Sequence, residues 1–191
     1  MNLTAHMRVL RPHPQIRAFY DGRVEGHRFA PGPNWVDEGA LSLGIASYAI
    51  LSGDAAVIYD THVSLDHAAF IRRALEAEGV RRFTVVLSHG HLDHVAGTGV
   101  FAGSDIIANA RTHAHLLRER ADIEAGTRPP AIRPLHLPTR TFDGTMRLRL
   151  GDLDLQLITL NIHSDDATVI WWPQARILLA GDTVEDSVTY V

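Results

Sequence analysis

Three imidazoles and a carboxylate fall within six residues, His89-Gly90-His91-Leu92-Asp93-His94, directly after the apolar run Phe83 to Leu87. His89 and His91 are two apart, so in an extended segment both project to the same side and can reach one cation. Asp93 and His94 follow after Leu92; where the chain turns helical they point elsewhere but stay near enough for a second cation. Neutral imidazole and carboxylate oxygen suit Zn²⁺ at about 2.0–2.2 Å, and they also suit Fe or Mn. Gly90 lets the backbone bend close to the metal. A lone histidine pair at this spacing is usually a surface accident. Four ligating groups crowded together without a cation, however, would desolvate polar groups for no gain.

The rest of the composition narrows the chemistry. The chain has 191 residues, 12 of them His, with no Cys and no Lys; all 18 basic residues are Arg. Thiol nucleophiles, thiolate metal sites, disulfides and lysine Schiff bases are therefore excluded. A metal can be held only through His, Asp and Glu. Net charge is −4 and the arginines are scattered, so no nucleic-acid partner is expected. No run approaches the roughly 18 apolar residues of a membrane span, and no apolar leader region stands near the N-terminus. A cytoplasmic protein with a small-molecule substrate, no nucleic acid and no membrane is the expectation. The length predicts a single domain over 1–191.

The elements that must position these residues can be read from periodicity. Residues 1–39, broken by Pro12, Pro14, Pro31 and Pro33, read as irregular. Leu41 to Leu51 and Ala55 to Tyr59 read as strands joined by a Ser52-Gly53-Asp54 turn. Ser64 is a plausible N-cap for a helix over 65–78 that Gly79 stops. Phe83 to Leu87 is a buried strand, and 88–104 a loop with a short helical segment. Asp105 to Asn109 reads as a strand and Thr112 to Glu124 as a helix. Residues 126–138, rich in Pro and Arg, predict an ordered surface loop. Strands are then expected over 146–150, 153–160, 167–172 and 176–180. Layered α/β with mixed sheets is the natural class.

The segment Thr84 to Gly97, TVVLSHGHLDHVAG, resembles the signature of the metallo-β-lactamase superfamily. Asp60-Thr61 resembles that family's early acidic turn, Asn161 to Val169 its third metal-histidine segment, and Leu178 to Thr183 its strand-Gly-Asp motif. Together these pieces span residues 60–183. The resemblance implies a four-layer αβ/βα sandwich with a dinuclear site at one edge of the sheets. It implies a first metal site of His89, His91 and His163. It implies a second of Asp93, His94 and Asp182, with Asp182 and a hydroxide bridging two zinc ions. Asp93 would also orient the nucleophile or move a proton. Asp60 is a candidate to accept the second ring N–H of a ligating histidine, with a strand-end turn residue as the competing reading.

The chain departs from the family pattern in two ways. No His follows His163, whereas the family usually has another near the C-terminus. The expectation is a fragment of a longer domain; the alternative is a short member that completes its site with water or a partner chain. An uncovered apolar sheet face would favour a homodimer. The antibiotic-resistance members commonly use Cys where this chain has Asp182, and often a substrate-gripping Lys; neither residue type is present. The reaction implied is hydroxide attack on the carbonyl of an ester, lactone, amide or thioester. A mono-iron oxygenase on the same scaffold and an inactive truncated metal-binding domain are the alternatives.

Other residues read more plainly. His113 and His115, two apart in a predicted helix, are expected on the surface. His62 and His67 read as solvated loop histidines, with His62 a candidate for the site rim. Trp171 and Trp172 alternate faces of a strand, one in the core and the other against a helix. Trp35 is a candidate to cover a pocket. Arg128, Arg133 and Arg140 could bind an anionic substrate group, although a solvated loop is their default.

Overall fold

A computed structural model of the chain describes residues 3–184. The first sheet has seven strands in sequence order: β1 (Arg8–His13), β2 (Ile16–Asp21), β3 (Ile45–Ser52), β4 (Ala55–Tyr59), β5 (Arg82–Val86), β6 (Asp105–Asn109) and β7 (Arg140–Phe142). Pairing is antiparallel from β1 to β4 and parallel from β4 to β7. The second sheet is antiparallel, ordered β11-β10-β9-β8, from β8 (Thr145–Leu150), β9 (Leu153–Thr159), β10 (Thr168–Trp172) and β11 (Ile177–Leu179). Four α-helical segments complete the described fold: α1 (Leu41–Leu43), α2 (Leu65–Ala77), α3 (Leu92–Val95) and α4 (Ala110–Ala125).

The central strands of the first sheet are buried on both faces, which is why they read as unbroken apolar runs. In β4, Ala56 and Ile58 face a core shared with Ala68, Ile71 and Leu75 of α2 and with Leu116 and Ile123 of α4. The alternate residues Ala55, Val57 and Tyr59 face a second core with Leu155, Leu157, Ile170 and Trp172 of the other sheet. Fully burying side chains such as Ile58 or Leu75 contributes about 1.5–3 kcal/mol each. Helices, sheet and sheet stack in that order, and this is the α/β sandwich expected from the sequence. No α-helix follows β8 among the described residues.

Helix α2 starts as expected: the Ser64 side chain accepts from the His67 N–H. Two expectations are corrected. Residues 8–21, expected to be irregular, form the β1–β2 hairpin. Pro12 fits there because β1 is an edge strand, so its missing N–H breaks no ladder. Leu41 to Leu51, expected as one strand, is helical as far as Leu43, and the strand starts only at Ile45. Val36, Ala40 and Leu41 lie on one face of this helical turn and bury against Ile45 and Val63. Gly44, at φ 86°, makes the change of direction. The loop over 126–138 is ordered, tied by Trp35, whose backbone N–H and Nε1–H donate to the carbonyls of Pro129 (3.3 Å) and Pro130 (3.1 Å).

Candidate metal centre

The site lies beyond the C-terminal ends of the parallel strands β4 and β5, where open α/β sheets present their loops. β4 is followed by Asp60, whose φ of 67° turns the chain sharply. β5 runs through Leu87 and Ser88 into His89, and α3 then carries Asp93 and His94. The second sheet supplies His163 from the loop before β10, at φ 66°, and Asp182 from the turn after β11. Gly97 closes α3 against the Asp60-Thr61 turn; a Cβ there would strike the Thr61 carbonyl and Ala68. Thr61 ties the same turn down, its N–H and hydroxyl both donating to the His94 carbonyl at 2.7 and 2.9 Å.

Four imidazoles converge. The His89 ring lies 4.4 Å from that of His91, 4.3 Å from His94 and 4.9 Å from His163, centroid to centroid. Asp182 Oδ2 stands 3.1 Å from His94 Nε2, 3.7 Å from His163 Nε2 and 3.9 Å from His89 Nε2. Within this cluster two groups are close enough to hold a cation: His89, His91 and His163, and His89, His94 and Asp182; a third such group among the described residues is His115, Asp165 and Asp166. All six residues predicted as ligands are brought to one place. Asp93 stands at the edge of the second group, its carboxylate 3.6 Å from His94 Nε2.

The outer partners set which nitrogens face inward. Asp60 Oδ2 accepts from His94 Nδ1 at 2.8 Å while Oδ1 accepts the Ser88 N–H at 2.7 Å. The Ser88 hydroxyl meets His89 Nδ1 at 2.8 Å, which leaves the buried His89 Nε2 with no hydrogen-bond partner. A buried ring nitrogen left bare is costly unless something electropositive completes it. The donor set of imidazole nitrogens and carboxylate oxygen, with that bare nitrogen aimed into it, therefore fits a divalent cation.

Burial drives His89 well below the ordinary histidine range, and the neighbouring imidazoles push the same way, so it is neutral as a ligand must be. His94 goes the other way. Burial alone would lower it, but the carboxylates of Asp93, Asp60 and Asp182 outweigh burial and raise it well above the ordinary range. Asp182 is held below the usual carboxylate range, because the surrounding histidines overcome the effect of its burial.

The structure also places residues that the sequence reading set aside. Asp166 Oδ2 accepts from the Gly90 N–H at 2.9 Å and from the Thr112 hydroxyl at 2.8 Å, clamping the His89–His91 loop to α4. Only its position two residues before a strand hinted at this. His62 and His67, expected to be solvated, are fully buried, with rings stacked 4.7 Å apart. Nothing in their spacing signals this burial, because both precede or begin a helix and carry polar atoms. His115, expected on the surface, is part-buried, 3.8 Å from an Asp165 oxygen and 3.9 Å from an Asp166 oxygen. Trp172 is in the core, as one of the tryptophan pair was expected to be. Arg140 pairs with Asp105 at 3.3 Å and takes no part in the site.

A cavity of about 370 Å³ opens beside the imidazoles, lined by Trp35, Leu43, His91, Asp93, Arg128 and Asp182 among others. A second, of about 310 Å³, shares Leu43, Asp93 and Asp182 and adds Tyr20, Arg23 and Tyr48. Trp35 thus walls a pocket, as expected. No helix among the described residues is long and apolar enough to cross a membrane.

Comparison with known proteins agrees with this architecture. The DIM-1 metallo-beta-lactamase superposes with a TM-score of 0.72 at 17% identity, covering 96% of this chain and 73% of that one. A metallo-beta-lactamase from Pontibacter korlensis superposes with a TM-score of 0.72 at 15% identity, over 95% of this chain and 74% of that one. At these identities the likeness is one of fold. Among curated proteins, 2,4-dinitroanisole O-demethylase subunit alpha from Nocardioides sp. (strain JS1661) is 28% identical over 184 residues, 88% of this chain. The chain spans about half of that relative, 52% of its length. The family model described as "Metallo-beta-lactamase superfamily" matches residues 42–190, most of the chain, and the chain belongs to that superfamily.

Proposed function

We propose that this chain is a metal-dependent hydrolase that opens an ester, lactone, amide or thioester bond of a small-molecule substrate. The observation that carries this reading is the meeting of His89, His94 and His163 nitrogens around Asp182 Oδ2, at 3.1–3.9 Å, on the wall of a cavity. His89, His91 and His163 would hold one cation; His94, Asp182 and Asp93 would hold the other, with Asp182 shared. Zinc suits this donor set, and iron or manganese are the alternatives. Bound there, the cations would supply hydroxide near neutral pH and polarise the substrate carbonyl.

The chain's own residues do the rest. Asp60 fixes the His94 ring so that Nε2 faces the centre. Ser88 does the same for His89 through Nδ1. Asp93 borders both cavities, where its carboxylate can take the proton of an attacking water and return it to the leaving group. Trp35 and Leu43 give the cavity an apolar side and Arg128 a cationic one. A narrower second reading comes from the O-demethylase relative, which is named for an aryl methyl ether. Hydrolysis at an activated aromatic ether needs the same hydroxide and the same apolar wall.

Elemental analysis together with a panel of chromogenic esters, thioesters, lactones, β-lactams and activated aryl methyl ethers tests the proposal. The expected result is zinc-dependent turnover of at least one member, abolished in His91→Ala. Turnover that persists unchanged in His91→Ala and in chelated protein would overturn it.

A further inference from the structure

A second constellation lies away from the imidazole cluster and owes nothing to a metal. The Ser64 hydroxyl is 2.7 Å from His67 Nδ1, and His67 Nε2 is 2.9 Å from Asp21 Oδ2. His67 and Asp21 are fully buried, whereas Ser64 is part-exposed and borders a cavity of about 250 Å³. Its lining is mostly apolar, with Phe29, Trp35, Val63, Ala96 and Ile132, and carries Asp66 and Arg133 as its charged members. It is a separate cavity from those that border Asp93 and Asp182.

The direction of the hydrogen bonds follows from Asp21. Burial opposes its charged form, but the hydrogen bonds from His67 and from the Gly22 N–H outweigh burial and hold its carboxyl below the usual carboxylate range. An ionised carboxylate only accepts, so His67 Nε2 carries the proton. With Nε2 as the donor to Asp21, Nδ1 is the ring nitrogen placed to accept from the Ser64 hydroxyl. His62, stacked parallel on the other ring, braces the imidazole from one face. A serine hydroxyl donating to an imidazole whose far nitrogen is tied to a buried carboxylate is the arrangement that activates a serine nucleophile.

Two further features favour reactivity. Ser64 is the N-cap of the 13-residue helix α2, and its oxygen accepts only the His67 N–H, at 3.3 Å. The N–H groups of Leu65 and Asp66, in the first turn, have no carbonyl within the helix to bond. Orphan donors of this kind at a helix start can stabilise charge that develops on an attacked carbonyl oxygen.

We propose that Ser64, His67 and Asp21 form a second, metal-independent acyl-transfer site that accepts small hydrophobic esters in the mostly apolar cavity. Ser64 Oγ bonds to the acyl carbon as the bond to the leaving alkoxide or phenoxide breaks. The hydroxyl proton passes to His67 Nδ1 and from there to the leaving oxygen. Water then attacks the acyl carbon of the seryl ester and gives its proton to His67; the bond from that carbon to Oγ breaks, the carboxylic acid leaves, and the imidazole returns the proton to Ser64 Oγ.

The test treats the zinc-loaded protein with an alkyl fluorophosphonate, whose phosphorus is attacked by Oγ with loss of fluoride to leave a stable phosphonate ester, and maps the adduct by mass spectrometry. One phosphonyl group per chain on Ser64 is expected, absent from urea-unfolded protein. Ser64→Asn, which keeps a helix-capping acceptor, loses the adduct. Asp21→Asn slows labelling by about tenfold or more, because the imidazole loses its anchored tautomer. Labelling of Ser64 no faster than in the unfolded chain, labelling elsewhere, or an undiminished rate in a folded Asp21→Asn variant would overturn the proposal. If Asp21→Asn does not fold, the native-against-unfolded comparison decides by itself. The readout is a covalent adduct on one serine, so it stands or falls independently of hydrolysis at the metal centre.

Discussion

Asp60 Oδ2 accepts from His94 Nδ1 at 2.8 Å, and the opposite nitrogen of the same ring stands 3.1 Å from Asp182. One carboxylate therefore sets both the tautomer and the direction of a candidate ligand without itself facing the cavity. Such outer partners typically change metal affinity by about 10–100-fold when removed. Asp60→Asn tests this cleanly, because Asn tolerates the positive φ of this position. Competition of the variant against a zinc chelator should show affinity weaker by about that factor. An unchanged affinity would mean that Asp60 only turns the chain.

Cation binding should be visible as stability. A ligand at 100 times its dissociation constant stabilises the native state by about 2.7 kcal/mol. For a chain of this size that raises Tm by roughly 5–10 °C. Thermal melts of chelated protein with and without added zinc measure the shift. In His89→Ala the shift should vanish, since His89 belongs to both three-ligand groups of the imidazole cluster.

His62 should make the metal-free protein acid-sensitive. Burial pushes its pKa well below the ordinary value, with His67 and His94 adding in the same direction. The unfolded chain, titrating near 6.5, then binds a proton that the folded chain refuses. Stability is thus fully present above about pH 6.5 and falls as pH drops below it, by about 1.4 kcal/mol per pH unit for this one group, until the folded pKa is reached. Denaturant melts at pH 7.5, 6.5 and 5.5 read the slope. His62→Asn, which accepts the left-handed φ of 67°, should flatten it by one proton's worth.

Asp166→Ala should cost both stability and metal. It strands the Gly90 N–H and the Thr112 hydroxyl, which both bond to Asp166 Oδ2. Leaving a buried donor unsatisfied costs about 1–3 kcal/mol. The loop between His89 and His91 would also lose its tie to α4. Denaturant midpoints and zinc affinity should fall together; a fall in stability alone would assign Asp166 a purely structural role.

Glu78 closes helix α2 onto β2 through Arg17, with three contacts of 2.6–3.0 Å. The guanidinium hydrogen bonds hold the Glu78 carboxyl below its ordinary value despite partial burial. This contribution is present at pH 7 and is lost as pH falls below about 4.3 through the lowered value. Urea midpoints of Glu78→Gln and wild type should converge in that acid window and differ above it.

The sequence by itself determined the ligand types, their local spacing and most of the elements that carry them. His89, His91, Asp93 and His94 lie within one loop and one helical turn, so their proximity is a matter of local geometry. The apolar runs of β4, β5 and β6 and the amphipathic face of α2 were likewise legible, because burial leaves a periodic trace. Only the tertiary structure decided what lies far apart in the chain. Asp182 meets His94 across 88 residues and Asp166 meets Gly90 across 76. Asp21 meets His67 across 46. Such contacts depend on how two sheets stack and where a turn is pinned. A polar residue at the end of a strand reads the same whether it faces water or a buried imidazole. For that reason His62 and His67 looked like loop residues, and the β1–β2 hairpin that brings Asp21 beneath them looked like irregular chain.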